Sequence, residues 1–208
     1  MKDGTRSIRQ CLTPFLPVLL VLVGWFTVGS VWTHGFAAFT SFSAARAAAG
    51  PLPRQAPPFA VIDHAGRNLD LGGEAMAFRM VQPMYLHCAD ACPVAMSRLH
   101  DLAHTLSDIP PNRLQVISVS VDSDSPEQMR LAWEARGSPS NWSFVAPVAG
   151  AGDESLRDLG VWLYRRADGI VNHSVDIFVI DPAGQVVRIL SADDDVERLA
   201  AAMREVLG

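Results

Sequence analysis

Between Cys11 and Ala45 the chain carries no Asp, Glu, Lys or Arg, and from Leu16 to Ala38 only Thr27, Ser30, Thr33 and His34 interrupt an apolar run. About 23 helical residues at ~1.5 Å each reach ~35 Å, enough to cross a hydrocarbon core. Trp32, Phe36, Phe39 and Phe42 crowd the far end, where bulky rings suit a membrane–water interface. Lys2, Arg6 and Arg9 precede the run, so the positive-inside rule keeps the first residues in the cytoplasm and delivers everything after about Ala45 outside. A cleaved signal peptide is the other reading, with small-residue sites at Ala45-Arg46-Ala47 and Ala47-Ala48-Ala49. Signal cores usually run about 7–15 apolar residues, so the longer run here favours a retained anchor. Either way the remainder is exported.

The expected organisation is therefore a cytoplasmic N-terminus and transmembrane anchor over 1–45, an Ala/Pro-rich tether over 46–57 and one domain over 58–208. The first 50 residues carry a net charge of +3 (Lys2, Arg6, Arg9 and Arg46 against Asp3), which leaves −8 of the total −5 on the rest. An acidic exported domain is a poor binder of nucleic-acid phosphates. Three cysteines in 208 residues are too few for a disulfide-stapled scaffold. About 150 residues can build a sufficient core without such staples.

Within the domain, Phe59 and Val61 alternate towards a His64-Ala65-Gly66 turn, which predicts a hairpin into Asn68–Leu71. Residues 77–87 read as a buried strand in which Pro83 is awkward. From Cys92 the spacing turns helical, with Met96, Leu99, Leu102, Ala103 and Leu106 on one face. Leu114–Val121 is a β-branched run fit for a central strand. Ser125 caps a helix with Pro126 at its first position and Gln128 completing a capping box. A short strand at Trp142–Val145, a short helix over 153–159, a strand over 174–181, a Pro182-Ala183-Gly184 turn and a return strand over 185–190 follow. The last helix stripes Val196, Leu199, Ala200, Met203 and Val206. This alternation predicts a mixed α/β sheet covered on both faces.

The densest chemical signal is His87-Cys88-Ala89-Asp90-Ala91-Cys92-Pro93, where a strand hands over to a helix. Pro93 suits a first helical turn. The partial positive charge of a helix N-terminus lowers thiol pKa values and favours thiolate at Cys92 and Cys88. Such a pair either cycles with a disulfide or holds a soft metal. A merely stabilising disulfide is the plain alternative, but so short a loop stabilises little. Cys11, beside the anchor and across the membrane, reads as an inert apolar residue.

A third ligand could come from six histidines. His34 lies at the anchor, and His64 sits in a turn expected to be solvated. His87 adjoins Cys88 and points the other way if the segment is a strand. His100 and His104 stand four apart on the helix and could chelate, although polar positions flanking an apolar stripe are the ordinary reading. His173 sits in a loop opening a late strand. Spacing alone does not choose among them. Met80 and Met84 near the motif read as core residues.

The set Cys88-Ala-Asp-Ala-Cys92-Pro93, then Ser118–Asp122 with Ser125-Pro126-Glu127, then Asn172-His173-Ser174 leading to Ile180-Asp181-Pro182-Ala-Gly184, resembles the Sco/SenC family. Asn141–Phe144 and Gly160–Tyr164 extend the resemblance, which runs from about Pro57 to the C-terminus. It implies an α/β, thioredoxin-like fold behind a transmembrane helix, and one copper, Cu(I) or Cu(II), bound by Cys88, Cys92 and His173. It further implies delivery of copper to the copper-bearing subunit of a terminal oxidase during cytochrome c oxidase assembly. A single-pass protein of the inner membrane with its domain in the periplasm follows, with a further copper chaperone or thiol reductant as partner. Two thiolates suit Cu(I), and imidazole extends tolerance to Cu(II). The chain departs from the family pattern at Gln82–Leu86, where a Phe/Thr-rich strand is common, and at Asp176, where a small or hydroxyl residue is usual.

The rival from another class is a thiol–disulfide oxidoreductase working through Cys88 and Cys92 as the redox-active pair, which would keep a target's copper-ligating cysteines reduced. Redox thioredoxins usually have a two-residue spacer between their cysteines and a cis-proline before the late strand. This chain has three spacer residues and no proline between Pro147 and Pro182, which favours copper. A peroxidase needs a lone activated cysteine, against the pair seen here.

Overall fold

A computed structural model describes residues 15–33, 35–36, 38–86, 91–148 and 152–208. The apolar runs Phe78–Met84 (β4), Leu114–Ser120 (β5) and Trp142–Pro147 (β6) lie parallel, side by side, at the centre of the domain. Parallel strands joined by crossover helices are covered on both faces, so they read as continuous apolar stretches rather than as alternation. Ile177–Ile180 (β9) pairs antiparallel with β4, and Gln185–Leu190 (β10) pairs antiparallel with β9. Arg54–Gln55 (β1) closes that edge on β10. At the other edge Ala60–Asp63 (β2) pairs with β6 and with Asn68–Asp70 (β3). The order across the sheet is β1-β10-β9-β4-β5-β6-β2-β3.

Successive residues of a strand face opposite sides of its sheet. Met80 accordingly joins one core and Val81 the other. The first core packs Val116, Phe144 and Val179 against Leu99 and Leu102 of Ala91–Thr105 (α3), Met129 of Pro126–Glu134 (α4), and Leu199 and Met203 of Val196–Leu207 (α6). The second packs Ile117 and Phe178 against Leu156 and Leu159 of Gly152–Leu159 (α5). A separate ribbon, Leu163–Arg165 (β7) with Val171–His173 (β8), adds Leu163 and Val171 to this second face. Met80 and Met84 are fully buried core residues, as expected.

Pro83 sits inside β4 at no cost. The Met84 carbonyl accepts the Val121 N–H at 2.8 Å, so residue 84 faces β5. By alternation the missing Pro83 N–H faces the opposite side, beyond the last β4–β9 pair, Val81 with Phe178.

The structure bears on two N-terminal expectations. Phe15–Trp32 (α1) is helical, but its 18 residues span about 27 Å against a hydrocarbon core of about 30 Å. Among the described residues no helix is long and apolar enough to cross a membrane. Lys2, Arg6, Arg9, Cys11 and His34 lie outside the described residues. Gly35, at φ 73, donates its N–H to the Ser30 carbonyl at 2.7 Å, the left-handed turn that ends a helix. The segment 46–57, expected to be an aperiodic tether, is structured at both ends. Arg46 to Ala48 complete the helix Ser41–Ala48 (α2), whose Thr40 and Ser43 form a capping box, and Arg54 and Gln55 are the edge strand β1.

Candidate metal centre

Strand β4 runs in parallel with β5 and ends at Met84, and the chain then turns into α3. His87, Cys88 and Asp90 belong to this connection and lie outside the described residues. Cys92 is the second residue of α3. No acidic residue occupies the first turn of that helix.

His173 closes β8 opposite Leu163. The loop expected there is a strand because Ala167-Asp168-Gly169 makes a tight turn: Arg166 N–H reaches the Ile170 carbonyl at 2.8 Å, and Gly169 N–H the Arg166 carbonyl at 3.1 Å. An Asp-Gly pair between short strand-forming runs is the sequence signal that would have revealed it. Leu163 and Val171 share one face of this ribbon and are buried, so half-buried His173, two residues beyond Val171, faces inward with them.

The imidazole is tightly specified. Its Nδ1 lies 2.8 Å from the Ser174 carbonyl oxygen, an acceptor only, so Nδ1 carries the proton and Nε2 carries the lone pair. Burial pushes the ring below its ordinary pKa, and the Ser174 carbonyl, which favours the charged ring, offsets only part of this. Burial thus favours the neutral ring, and the Nδ1 contact with the Ser174 carbonyl is the kind of hydrogen bond by which metal-ligating histidines are oriented.

The ribbon and the strand leading to the cysteines are locked together by a residue that the sequence reading passed over. Gln82, buried in β4, donates from Nε2 to the Val175 carbonyl at 3.0 Å, two residues beyond His173 and six before Cys88. Its Oε1 is buried without a hydrogen-bond partner among the described residues. A lone amide inside an otherwise apolar strand was the available signal. Ser174 adds a second lock. It donates its backbone N–H to the Trp162 carbonyl at 3.0 Å, and its Oγ accepts the Trp162 N–H at 3.1 Å.

The other histidines do not share this location. His64 is not solvated as expected: its ring stacks on Trp133 at 4.4 Å, and its Nδ1 accepts the Phe144 N–H at 3.4 Å. His100 lies 6.1 Å from Trp142. Those rings belong to the face opposite the ribbon. His104 is exposed on α3. Among the described residues no three His, Cys, Asp or Glu form a cluster able to hold a metal. The residue types of the candidate donors named from the sequence, Cys88, Cys92 and His173, suit a soft ion.

Residues 48–141 match the SCO1/SenC family model. The fold is similar to that of Arabidopsis thaliana ScoI with copper bound, at 17% identity and a TM-score of 0.64 over 73% of this chain and 97% of that one. Yeast Sco1 matches at 20% identity and a TM-score of 0.62 over 74% and 97%. A SCO1/SenC family lipoprotein from Bacillus anthracis matches at 19% identity and a TM-score of 0.67 over 76% and 98%. The mixed α/β architecture is therefore that of the thioredoxin-like Sco proteins. No curated protein sequence matches the chain.

Proposed function

We propose that the chain, whose residues 48–141 match the SCO1/SenC family model, is a membrane-anchored copper metallochaperone that serves the copper-bearing subunit of a terminal oxidase during cytochrome c oxidase assembly. Copper is the cargo, held by Cys88, Cys92 and His173. The observation that carries this reading is the His173 imidazole, oriented by the Nδ1 contact with the Ser174 carbonyl in a buried position that favours its neutral form. Copper-bound structures of Arabidopsis ScoI and of yeast Sco1, which share the fold, support the choice of ion. Two thiolates make the site soft enough for Cu(I), and the imidazole lets it accept Cu(II).

Anchoring rests on α1. Its apolar side chains are exposed around the whole helix, Leu19, Val21 and Trp25 among them. A helix apolar on every side requires a nonaqueous surrounding. With Lys2, Arg6 and Arg9 before it, the domain is placed on the periplasmic side of the inner membrane.

The test is copper binding by the full, reduced chain in detergent, read by Cu(II) absorption and electron paramagnetic resonance. His173→Ala should weaken Cu(II) binding by roughly tenfold or more, the range seen for lesser changes around metal ligands, and should shift the spectrum. Cys88→Ser and Cys92→Ser should each remove the sulfur-to-copper absorption. An unchanged affinity and spectrum in His173→Ala would defeat the assignment.

A further inference from the structure

The rings that crowd the end of α1 form a path into the domain. Phe36 packs on Phe26 of α1 at 4.9 Å and on Phe39 at 6.4 Å. Three residues later Phe42, in the first turn of α2, meets Trp162 edge-on at 5.2 Å, and Trp162 stacks on Tyr164 at 6.4 Å. From Phe36 to Phe42 the chain reaches at most about 21 Å even when fully extended. Trp162 is therefore held close to the end of the apolar helix. A second tie fixes α2 to the same region: Arg46 pairs with Asp176 at 3.6 Å.

The ribbon β7–β8 has two unlike faces. Leu163 and Val171 face the core with His173. Tyr164, Arg166, Ile170 and Asn172 alternate with them and are all exposed, Tyr164 at 56% and Ile170 at 44%. The cations of this ribbon are already matched. Arg166 pairs with Asp168 at 2.7 Å, and Arg165 with Asp153 at 2.6 Å. The outer face is thus aromatic and aliphatic with little net charge, the composition that seats Trp and Tyr at the headgroup level of a bilayer.

We propose that the outer face of the β7–β8 ribbon, through Trp162, Tyr164 and Ile170, lies in the phospholipid headgroup layer of the membrane that holds α1. The occupant of this surface is a zwitterionic lipid interface, because the paired arginines leave no excess of positive charge to require anionic lipid. This inference rests on the anchored reading of α1. Its consequence is positional. His173 is on the inner side of the same ribbon, so a metal held by it would stand close above the membrane surface, separated from it by this one ribbon. It is not carried at the end of a free tether. A partner whose acceptor site lies at the membrane surface is then met without a search in three dimensions.

The experiment uses the full chain in phosphatidylcholine nanodiscs whose lipids carry bromine near the headgroup, a short-range quencher of tryptophan emission. With Trp25→Phe and Trp32→Phe, the emission that disappears on adding Trp162→Phe belongs to Trp162, and Trp133 and Trp142 remain as the background. The expected result is loss of the Trp162 emission in brominated discs against plain ones. Because Tyr164 and Ile170 are exposed, Tyr164→Asp with Ile170→Asp should leave the fold intact and restore that emission. Quenching of Trp25 and Trp32 in the otherwise unaltered chain reports the anchor separately. Quenched Trp25 and Trp32 beside an unquenched Trp162 would overturn the docking and leave the anchor standing. If none of the three is quenched, the anchor fails and the docking falls with it.

Discussion

At the scale of single residues, the side chain near His173 that most repays attention is Asp176, where the sequence departs from the small or hydroxyl residue usual in the family it resembles. Asp176 is buried three residues after His173. Burial raises its carboxyl pKa, Arg46 opposes the rise, and Asp193 adds to it. The sign matters. A carboxyl whose folded pKa exceeds its unfolded value, about 4, binds more protons in the native state. Its contribution to stability is full below that value and is lost as pH rises through the folded pKa. At neutral pH the charge is therefore held at a cost. Asp176→Asn should raise the thermal midpoint of the protein at pH 8, and the gain should vanish near pH 3. Melting curves of both proteins at the two pH values decide it, and a lower midpoint for the variant at pH 8 would refute the argument. Asp176 illustrates what a sequence hides: a departure from pattern was visible, but not its burial or its partner 130 residues away. The start of α3 shows the reverse, because Pro93 in its first turn marks a helix N-terminus locally.

At the scale of elements, legibility followed locality. The capping box over Ser125–Gln128 could be read because every participant lies within four residues, and the structure shows both bonds: Gln128 N–H to Ser125 Oγ at 3.2 Å and Ser125 N–H to Gln128 Oε1 at 2.8 Å. Helix α4 fully buries Met129, and Ala132 and Trp133 pack beside it towards its far end, so capping supplies much of what holds its first turn. Ser125→Ala should cost about 1 kcal/mol in denaturant unfolding with an unchanged dependence on denaturant concentration. A cost near zero would mean that packing of Met129 alone suffices. Pro83 and His173 resisted reading for non-local reasons. Pro83 is tolerated because β9 stops pairing at Val81, and His173 becomes strand because a turn four residues upstream folds Leu163 against it. Strand pairing depends on partners distant in sequence, so periodicity cannot report it.

At the scale of the whole molecule, the open question is what residues 41–50 do. Composition assigns them partly to the anchor, up to residue 45, and partly to an Ala/Pro-rich tether from residue 46, and that description omits the two side chains that engage the domain. Phe42 meets Trp162, Arg46 meets Asp176, and Gly160, held at φ 102, brings its backbone so near that a Cβ there would touch Ala49 at 3.4 Å. An edge-on aromatic pair is worth about 0.5–1.5 kcal/mol, and a half-exposed ion pair at most about 1 kcal/mol. A soluble fragment starting at residue 41 should therefore unfold with a free energy on the order of 1–2 kcal/mol above that of one starting at residue 51. The same comparison should show faster amide exchange at Ser174 in the shorter fragment, because the Trp162 backbone that receives its N–H loses the ring packed against its side chain. A flexible linker would leave both quantities equal. Unequal values make α2 part of the folded unit, and the segment between the apolar helix and the domain becomes the element that sets how His173 is presented.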